Sequence, residues 1–221
     1  MRMKKIGMAM LVAMFVFTNA SAQKMQGVKH FLGSCKYEIV AGYGGTNVTE
    51  PFDEAKFGFN VGATARKGFK SFMDEKLDAY GLVGILYTRR AGKMDNDFMT
   101  LGDDNKNFNT SNIYVPIHVG GEYKWKKVSV FLDLGPHVLF NVGSGDMENL
   151  ETNAVAFGAG FDLGVRFKRF AVSLGFDKEF TKLATFRPDY DQQKKYELEK
   201  DKYNLKTGMV NLNLRWTLDK L

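Results

Sequence analysis

From Val155 to Phe167 (VAFGAGFDLGVRF) every second residue is apolar: Val155, Phe157, Ala159, Phe161, Leu163, Val165 and Phe167. The residues between them, Ala156, Gly158, Gly160, Asp162, Gly164 and Arg166, are small or charged. Successive side chains of an extended chain point to opposite faces, so the pattern predicts a strand with one apolar face. Its 13 residues exceed the roughly 5–6 of an ordinary strand. They suffice for the roughly 9–11 residues that cross a bilayer at a tilt. The small and charged face suits the crowded interior of a narrow barrel. The stretch therefore predicts a membrane-spanning β-strand, here taken as Ala154–Phe167.

The same alternation recurs along the chain. Lys36–Gly44 sets Tyr37, Ile39, Ala41 and Tyr43 against Glu38, Val40 and Gly42. Lys56–Arg66 sets Phe57, Phe59, Val61, Ala63 and Ala65 against Asn60, Thr64 and Arg66. In Lys76–Thr88, Val83, Ile85 and Tyr87 oppose Leu82 and Leu86. Asn112–Lys124 turns Ile113, Val115, Ile117, Val119 and Tyr123 outward and Pro116, His118 and Glu122 inward. Val128–Val142 divides Val130, Leu132, Leu134, Val138 and Phe140 from Asp133, His137 and Asn141. Phe170–Phe180 divides Phe170, Val172, Leu174 and Phe176 from Ser173, Asp177 and Glu179. Thr207–Leu218 divides Val210, Leu212, Leu214, Trp216 and Leu218 from Asn211, Asn213, Arg215 and Thr217. That makes eight strands. Pro116 lacks a ladder donor, for which a local bulge is the simplest expectation.

The connections sort by length. The odd ones, Gly45–Ala55, Arg89–Ser111, Gly143–Asn153 and Thr181–Lys206, are longer than Lys67–Glu75, Trp125–Lys127 and Lys168–Arg169. Thr181–Lys206 is charged and reads as helical in part. Bacterial outer-membrane barrels have short periplasmic turns and longer extracellular loops. In hydrocarbon every backbone polar group must be paired within the protein, so a spanning sheet has to close. The fold class expected is all-β: an eight-stranded antiparallel up-and-down transmembrane β-barrel, preceded by a cleaved signal peptide. An even strand count places both barrel termini on the periplasmic side.

Met1–Ala22 reads as the secretory signal: Arg2, Lys4 and Lys5, then apolar Ile6–Phe17, then the small residues Ala20-Ser21-Ala22. Residues 23–35 form a lead, 36–218 the barrel and 219–221 a tail. The formal charge is +6, and removing those three basic residues leaves +3 (6 − 3). So small an excess, without a basic run interleaved with aromatics, argues against nucleic acid as a partner. Cys35 is the single cysteine, so an internal disulfide is excluded. Leu32-Gly33-Ser34-Cys35 looks like a lipoprotein box, but Lys24, Lys29 and His30 separate it from the apolar core, and a free thiol is the expectation.

The inward positions carry a charge network: Glu38, Arg66, His118, Glu122, Asp133, His137, Asp162, Arg166, Asp177 and Arg215. Eight strands enclose only side chains or one small ligand, and unpaired charges there are costly. A salt-bridged plug is the expectation, ahead of a narrow conducting path or small-ligand site. His118 and His137 with Glu122 and Asp133 have the makings of a metal site, but inward histidines are more commonly hydrogen-bonded plug members, so neither metal nor cofactor is expected. A hydrolase would need a Ser–His–acid set within reach of lipid, and there is no Gly-x-Ser-x-Gly elbow. No enzyme activity is expected. The acidic Asp95–Asp104 stretch lacks the spacing of a calcium loop. Lys67, Lys70, Lys126, Lys127, Lys168 and Arg169 mark the short turns, where they would meet solvent or acidic headgroups.

Ile113–Tyr123 (IYVPIHVGGEY) resembles the leucine-x-isoleucine-proline-leucine strand of the PorT-like outer-membrane β-barrel family, porin-family-like proteins of small size. Leu134-Gly135-Pro136 with His137-Val138 is similar to that family's next strand, and Phe157–Gly164 also fits. The resemblance covers roughly Tyr37–Leu218 and implies an outer-membrane location, with outer-membrane lipid and the barrel-insertion machinery as partners. Such barrels often end in an aromatic residue that this machinery reads; here Trp216 and Leu218 are followed by Asp219-Lys220-Leu221. The name-giving member serves a secretion apparatus, a role that does not transfer on packing motifs.

The function expected is structural or binding, exercised by extracellular loops on a closed, monomeric barrel toward an unknown loop partner. The alternatives are a small porin or transport protein, a secretion-apparatus component, or a soluble periplasmic lipocalin-like barrel. The last would require the Val155–Phe167 apolar face to point inward at an apolar ligand.

Overall fold

A computed structural model describes residues 34–49, 54–93, 107–144, 150–187 and 202–218. The signal peptide, most of the lead, the C-terminal tail, the Asp95–Asp104 stretch and the middle of Thr181–Lys206 lie outside the described residues. Eight long strands are β1 (Lys36–Val48), β2 (Glu54–Phe72), β3 (Leu77–Lys93), β4 (Asn107–Trp125), β5 (Val128–Ser144), β7 (Val155–Phe167), β8 (Phe170–Glu179) and β11 (Thr207–Thr217). They close in the order β1-β11-β8-β7-β5-β4-β3-β2, every pairing antiparallel. The seam joins β1 to β11 from Glu38↔Thr217 to Val48↔Thr207, so no long strand is left with an open edge.

Alternation decides which face goes where. Leu163, Leu174 and Leu212 stand in one cross-strand row and all face outward, each more than half exposed. Val83, Ile85, Ile117, Val119, Leu132 and Leu214 continue this aliphatic belt around the barrel. Aromatic residues bound it on both sides. Near the short turns lie Phe69, Tyr123, Trp125, Phe167, Phe170 and Trp216, with the rings of Phe170 and Trp216 4.9 Å apart. Near the other end lie Tyr43, Phe57, Phe157 and Phe180, with Tyr43 and Phe57 stacked at 5.1 Å. A soluble monomer rarely exposes a contiguous apolar patch beyond about 300–600 Å². An apolar belt between aromatic girdles around a closed sheet is the exterior of a transmembrane barrel. The Val155–Phe167 apolar face points out, which removes the lipocalin-like alternative.

The strands run further than the apolar pattern reaches. Arg89–Ser111, expected as a loop, is strand to Lys93 and again from Asn107. Lys67–Glu75, expected as a connection, is strand to Phe72, with a bulge between Gly68 and Lys70. Beyond the belt the outer face meets water, so polar residues suit both faces and the period-two signal fades while the ladder continues. The Pro116 bulge is absent. β3–β4 pairing lapses between Val83↔Ile117 and Leu86↔Tyr114 and resumes in the same register, as does β4–β5 pairing around Pro116↔His137. The missing donor is absorbed as a gap, and the β4–β5 bulge falls at Ser111/Asn112.

A second sheet stands on the long-connection end: β6 (Leu150–Thr152), β9 (Ala184–Phe186) and β10 (Tyr203–Leu205), in the order β10-β9-β6. Within Thr181–Lys206 the described residues include two short strands, and the part that could hold the expected helix, 188–201, lies outside the described residues. Beneath them Phe108, Leu139, Ala156, Leu183, Phe186, Leu205 and Val48 make one buried apolar cluster. At the opposite rim Asp78 pairs with Lys124 at 2.7 Å and accepts from Ser71 at 2.8 Å. Partial burial pushes the Asp78 carboxyl up, but the Lys124 and Ser71 hydrogen bonds and the Lys124 charge outweigh it and hold the group below its ordinary range.

Candidate functional site: the lumen

The inward faces of all eight strands deliver polar side chains to the axis, and these form two clusters. In the half nearer the short turns, Glu38 from β1 forms ion pairs with Arg166, Nη2 at 2.8 Å, and with Arg66, Nε at 3.2 Å. Arg66 also pairs with Glu122, which Ser129 caps as a hydrogen-bond donor. Arg215 from β11 lies 2.7 Å from Asp133 and 3.2 Å from Asp162. Tyr80 donates to the other Asp133 oxygen at 2.5 Å, and Asp162 further accepts from Asn213 at 2.7 Å and Ser173 at 3.1 Å. Phe131, fully buried, offers its ring to two of the guanidiniums, Arg215 at 4.9 Å and Arg166 at 5.3 Å.

The second cluster lies toward the long connections. Arg90 from β3 holds Asp177 and Glu179 of β8, each at 2.6 Å. Thr207 donates to Glu179, and His137 Nε2 sits 3.3 Å from the same carboxylate, its ring 4.8 Å from that of Tyr114. Between the clusters is a cavity of about 40 Å³ whose walls include Asn60, His118, Asp162, Asp177 and Asn211.

All ten residues of the sequence-derived charge set are inward and buried or nearly so, Asp162 least completely. Their grouping differs from the one the sequence suggested. His137 joins Asp177 and Glu179, with ligand atoms within 4.8 Å of one another, whereas Glu122 and Asp133 belong to the arginines of the other cluster. Arg90 is the residue the sequence reading missed, because it falls in the stretch taken as a loop. The signal was available: Leu82, Leu86, Thr88 and Arg90 keep one phase, all buried. Tyr80 and Phe131 were missed for a related reason. An aromatic in an inward position of a polar lumen looks like noise until the arginine it stacks on is known.

Six carboxylates (Glu38, Glu122, Asp133, Asp162, Asp177 and Glu179) face four guanidiniums (Arg66, Arg90, Arg166 and Arg215) among the described inward residues. The contacts of Arg90 with Asp177 and Glu179, of Arg215 with Asp133 and of Arg66 with Glu122 are charge-assisted hydrogen bonds, and the others are ion pairs at 2.8–3.9 Å. The arrangement crosslinks β1, β2, β3, β4, β5, β7, β8 and β11 through side chains as well as through the ladder.

No family model matches this chain, and no curated protein matches it. Among solved structures, the outer-membrane enzyme PagL shares 11% identity over 82% of this chain and 99% of its own, at a TM-score of 0.47. Neisserial surface protein A shares 12% over 82% and 97%, at 0.42. Ail, the attachment invasion locus protein of Yersinia pestis, shares 15% over 84% and 99%, at 0.38, in a complex with the heparin analogue sucrose octasulfate. Likeness at this level carries no argument about activity or ligand. What the chain's own geometry establishes is an eight-stranded antiparallel barrel, apolar outside and ionic within.

Proposed function

We propose that this chain is a monomeric outer-membrane barrel that conducts nothing and acts through the surface at its long-connection end. The observation that carries this reading is closure at two levels. The mouth is covered by apolar side chains packed under β6, β9 and β10, and the axis below is filled by paired charges. Its termini would be periplasmic, with the short, lysine-bearing turns against the inner leaflet. It would have no chemistry of its own and would depend on outer-membrane lipid, the barrel-insertion machinery and a loop partner.

Membership of the PorT-like family is part of the same proposal. The motif residues support it as packing elements: Pro116 sits where the ladder lapses, and His137 across from it belongs to the upper cluster. They give no support to a secretion role.

The test has two readouts. The protein is expected in the outer-membrane fraction, where it migrates faster in gels when unboiled, and it should give no steps of conductance in planar bilayers. Recovery only from the soluble periplasm would end the membrane reading. Stable conductance by the folded form would replace closure with transport.

A further inference from the structure

We propose that the adjacent hairpins β4–β5 and β7–β8 form a docking surface for the headgroup of an anionic phospholipid, on the bilayer-spanning barrel proposed above. The surface starts from one rung of the sheet. Trp125 pairs with Val128, Val128 with Phe167, Phe167 with Phe170, and Phe170 with Trp216. All five side chains are exposed on the outer face. Five neighbouring strands thus set four aromatic residues and a valine side by side at the edge of the belt. Tryptophan and other amphipathic rings settle at headgroup level in a bilayer.

Immediately beyond that rung the chain turns twice, at Lys126-Lys127 and at Lys168-Arg169. Lys127 and Lys168 follow directly on the Val128↔Phe167 pair, so the two turns are neighbours. Together they cross four strands, a width of about 15 Å at roughly 4.8 Å per strand spacing. Lys168 bends back over the rung, with Nζ 5.5 Å from the centre of the Phe167 ring, which keeps the ammonium beside the apolar surface.

Turn geometry does not account for these lysines. Lys126 and Lys168 have φ of 56° and 55°, a region that Gly, Asn and Asp occupy far more readily. Pairing does not account for them either. Among the described residues, Lys126, Lys127 and Lys168 form no ion pair with a carboxylate. Both turns are wholly basic, four positive charges without an acid. Lys124 beside them is already matched by Asp78, and the remaining short turn carries Asp74 and Glu75 alongside Lys70 and Lys76. The surplus is therefore local to two hairpins.

Charge and position together select the occupant. A zwitterionic headgroup brings no net charge to meet the surplus. A soluble anion meets the lysines but makes no use of the aromatic rung. A phosphodiester of net negative charge on two acyl chains meets both, its phosphate against the ammoniums and its chains along Phe167 and Phe170. A basic residue near an anionic membrane surface is worth about fivefold in association, an effect that salt screens.

The mature chain is refolded into phosphatidylcholine vesicles that carry a trace of spin-labelled lipid. Immobilisation of spin-labelled phosphatidylglycerol is then compared with that of spin-labelled phosphatidylcholine by electron paramagnetic resonance. In barrels that give the fast-migrating unboiled band, phosphatidylglycerol should associate about fivefold or more strongly, and high salt should erase most of that preference. Lys126→Asn, Lys127→Gln and Lys168→Asn combined should bring the ratio close to one, since asparagine tolerates the left-handed turn positions while removing the charge. Lys70→Gln with Lys76→Gln should leave the preference in place. A ratio of one in the folded wild type overturns the lipid site alone. So does a preference that survives the triple variant, or one that inorganic phosphate abolishes while chloride of equal ionic strength does not, which would make the site one for the free anion. Where the triple variant fails to fold, Lys168→Asn alone decides, and an unchanged ratio overturns the site. A wild-type chain that never gains the fast band overturns the barrel and the site together.

Discussion

Arg90 Nη2 lies 2.6 Å from Asp177 Oδ1 across the lumen, joining the third strand of the barrel to β8, which is not its neighbour in the sheet. Its second terminal nitrogen reaches Glu179 at the same distance. One guanidinium thus accounts for two buried acids, and no other described arginine contacts either. Replacing Arg90 by Ala takes the guanidinium from both and leaves Glu179 only Thr207 and His137. Breaking a buried pair by removing one partner costs about 3–5 kcal/mol, and a loss at the upper end of that range is expected in the urea unfolding free energy. Arg90→Lys should recover only part, because a point charge does not reproduce the two-pronged contact.

Neighbouring glycines on β1 should differ sharply. A Cβ at Gly44 would stand 1.9 Å from the carbonyl oxygen of Val210, which is backbone and cannot swing away, whereas a Cβ at Gly45 meets nothing within 4 Å. Gly44→Ala is expected to abolish the fast-migrating unboiled band by forcing the seam apart. Gly45→Ala should leave that band intact.

Leu174 faces outward in the middle of the belt, in register with Leu163 and Leu212. An arginine at the midplane of a membrane barrel costs about 2–4 kcal/mol, against roughly 0–1 near the interface. Leu174→Arg should therefore lower refolding stability in lipid vesicles by that larger amount, and Trp125→Arg at the rim by much less. Equal effects would mean that the belt does not sit in hydrocarbon.

Phe186 is fully buried under the small sheet. Truncation to Ala removes about 3–5 kcal/mol of packing, but from the cluster that joins the small sheet to the barrel mouth, away from the lumenal ion pairs. The expected outcome is faster proteolysis of residues 180–206 with the heat-modifiable barrel retained. Loss of the whole barrel would show that cap and barrel fold as one unit.

The Asp78–Lys124 pair gives a small pH effect. Asp78 is held below its ordinary range, so its contribution is present above the unfolded value near 4 and disappears as pH falls through the folded one. The pair is partly exposed, Lys124 by half, and such pairs are worth about 0–1 kcal/mol. Asp78→Asn should lower stability slightly at neutral pH, and the gap should shrink as the pH falls below about 4 and through the lowered folded transition. A gap that persists at the lower pH would count against the pairing.

What could be read from the sequence follows the solvent. Inside the belt, hydrocarbon demands an apolar residue at each outward position, so Val83, Ile85, Leu163 and Leu174 announce both the strand and its facing. Above the belt that demand ends: Arg89 is exposed, Arg90 is buried, and only the phase carried up from Leu82, Leu86 and Thr88 tells them apart. The inward set was legible because charges opposite an apolar face have nowhere else to go. Who pairs with whom was not, since partners such as Arg90 and Glu179 are 89 residues apart and meet only through barrel closure. The cap was illegible for the same reason: Ala184–Phe186 and Tyr203–Leu205 are each three residues long, too short to show a period.

The seam carries a consequence for assembly. Glu38 and Arg215 belong to the first and last barrel strands, so the lower ion cluster lacks members from both sides until β1 meets β11. Just beyond the same seam, Thr49 and Lys206 exchange hydrogen bonds, Thr49 N to Lys206 O and Lys206 N to Thr49 Oγ1, each at 3.0 Å. A sheet still open in lipid would hold Glu38 with Arg66 alone on one margin and Arg215 without Glu38 on the other. Closure removes that penalty in one event. The ionic lumen thereby acts as a proofreader, leaving a chain that has threaded all but its final strand in a state the membrane does not tolerate.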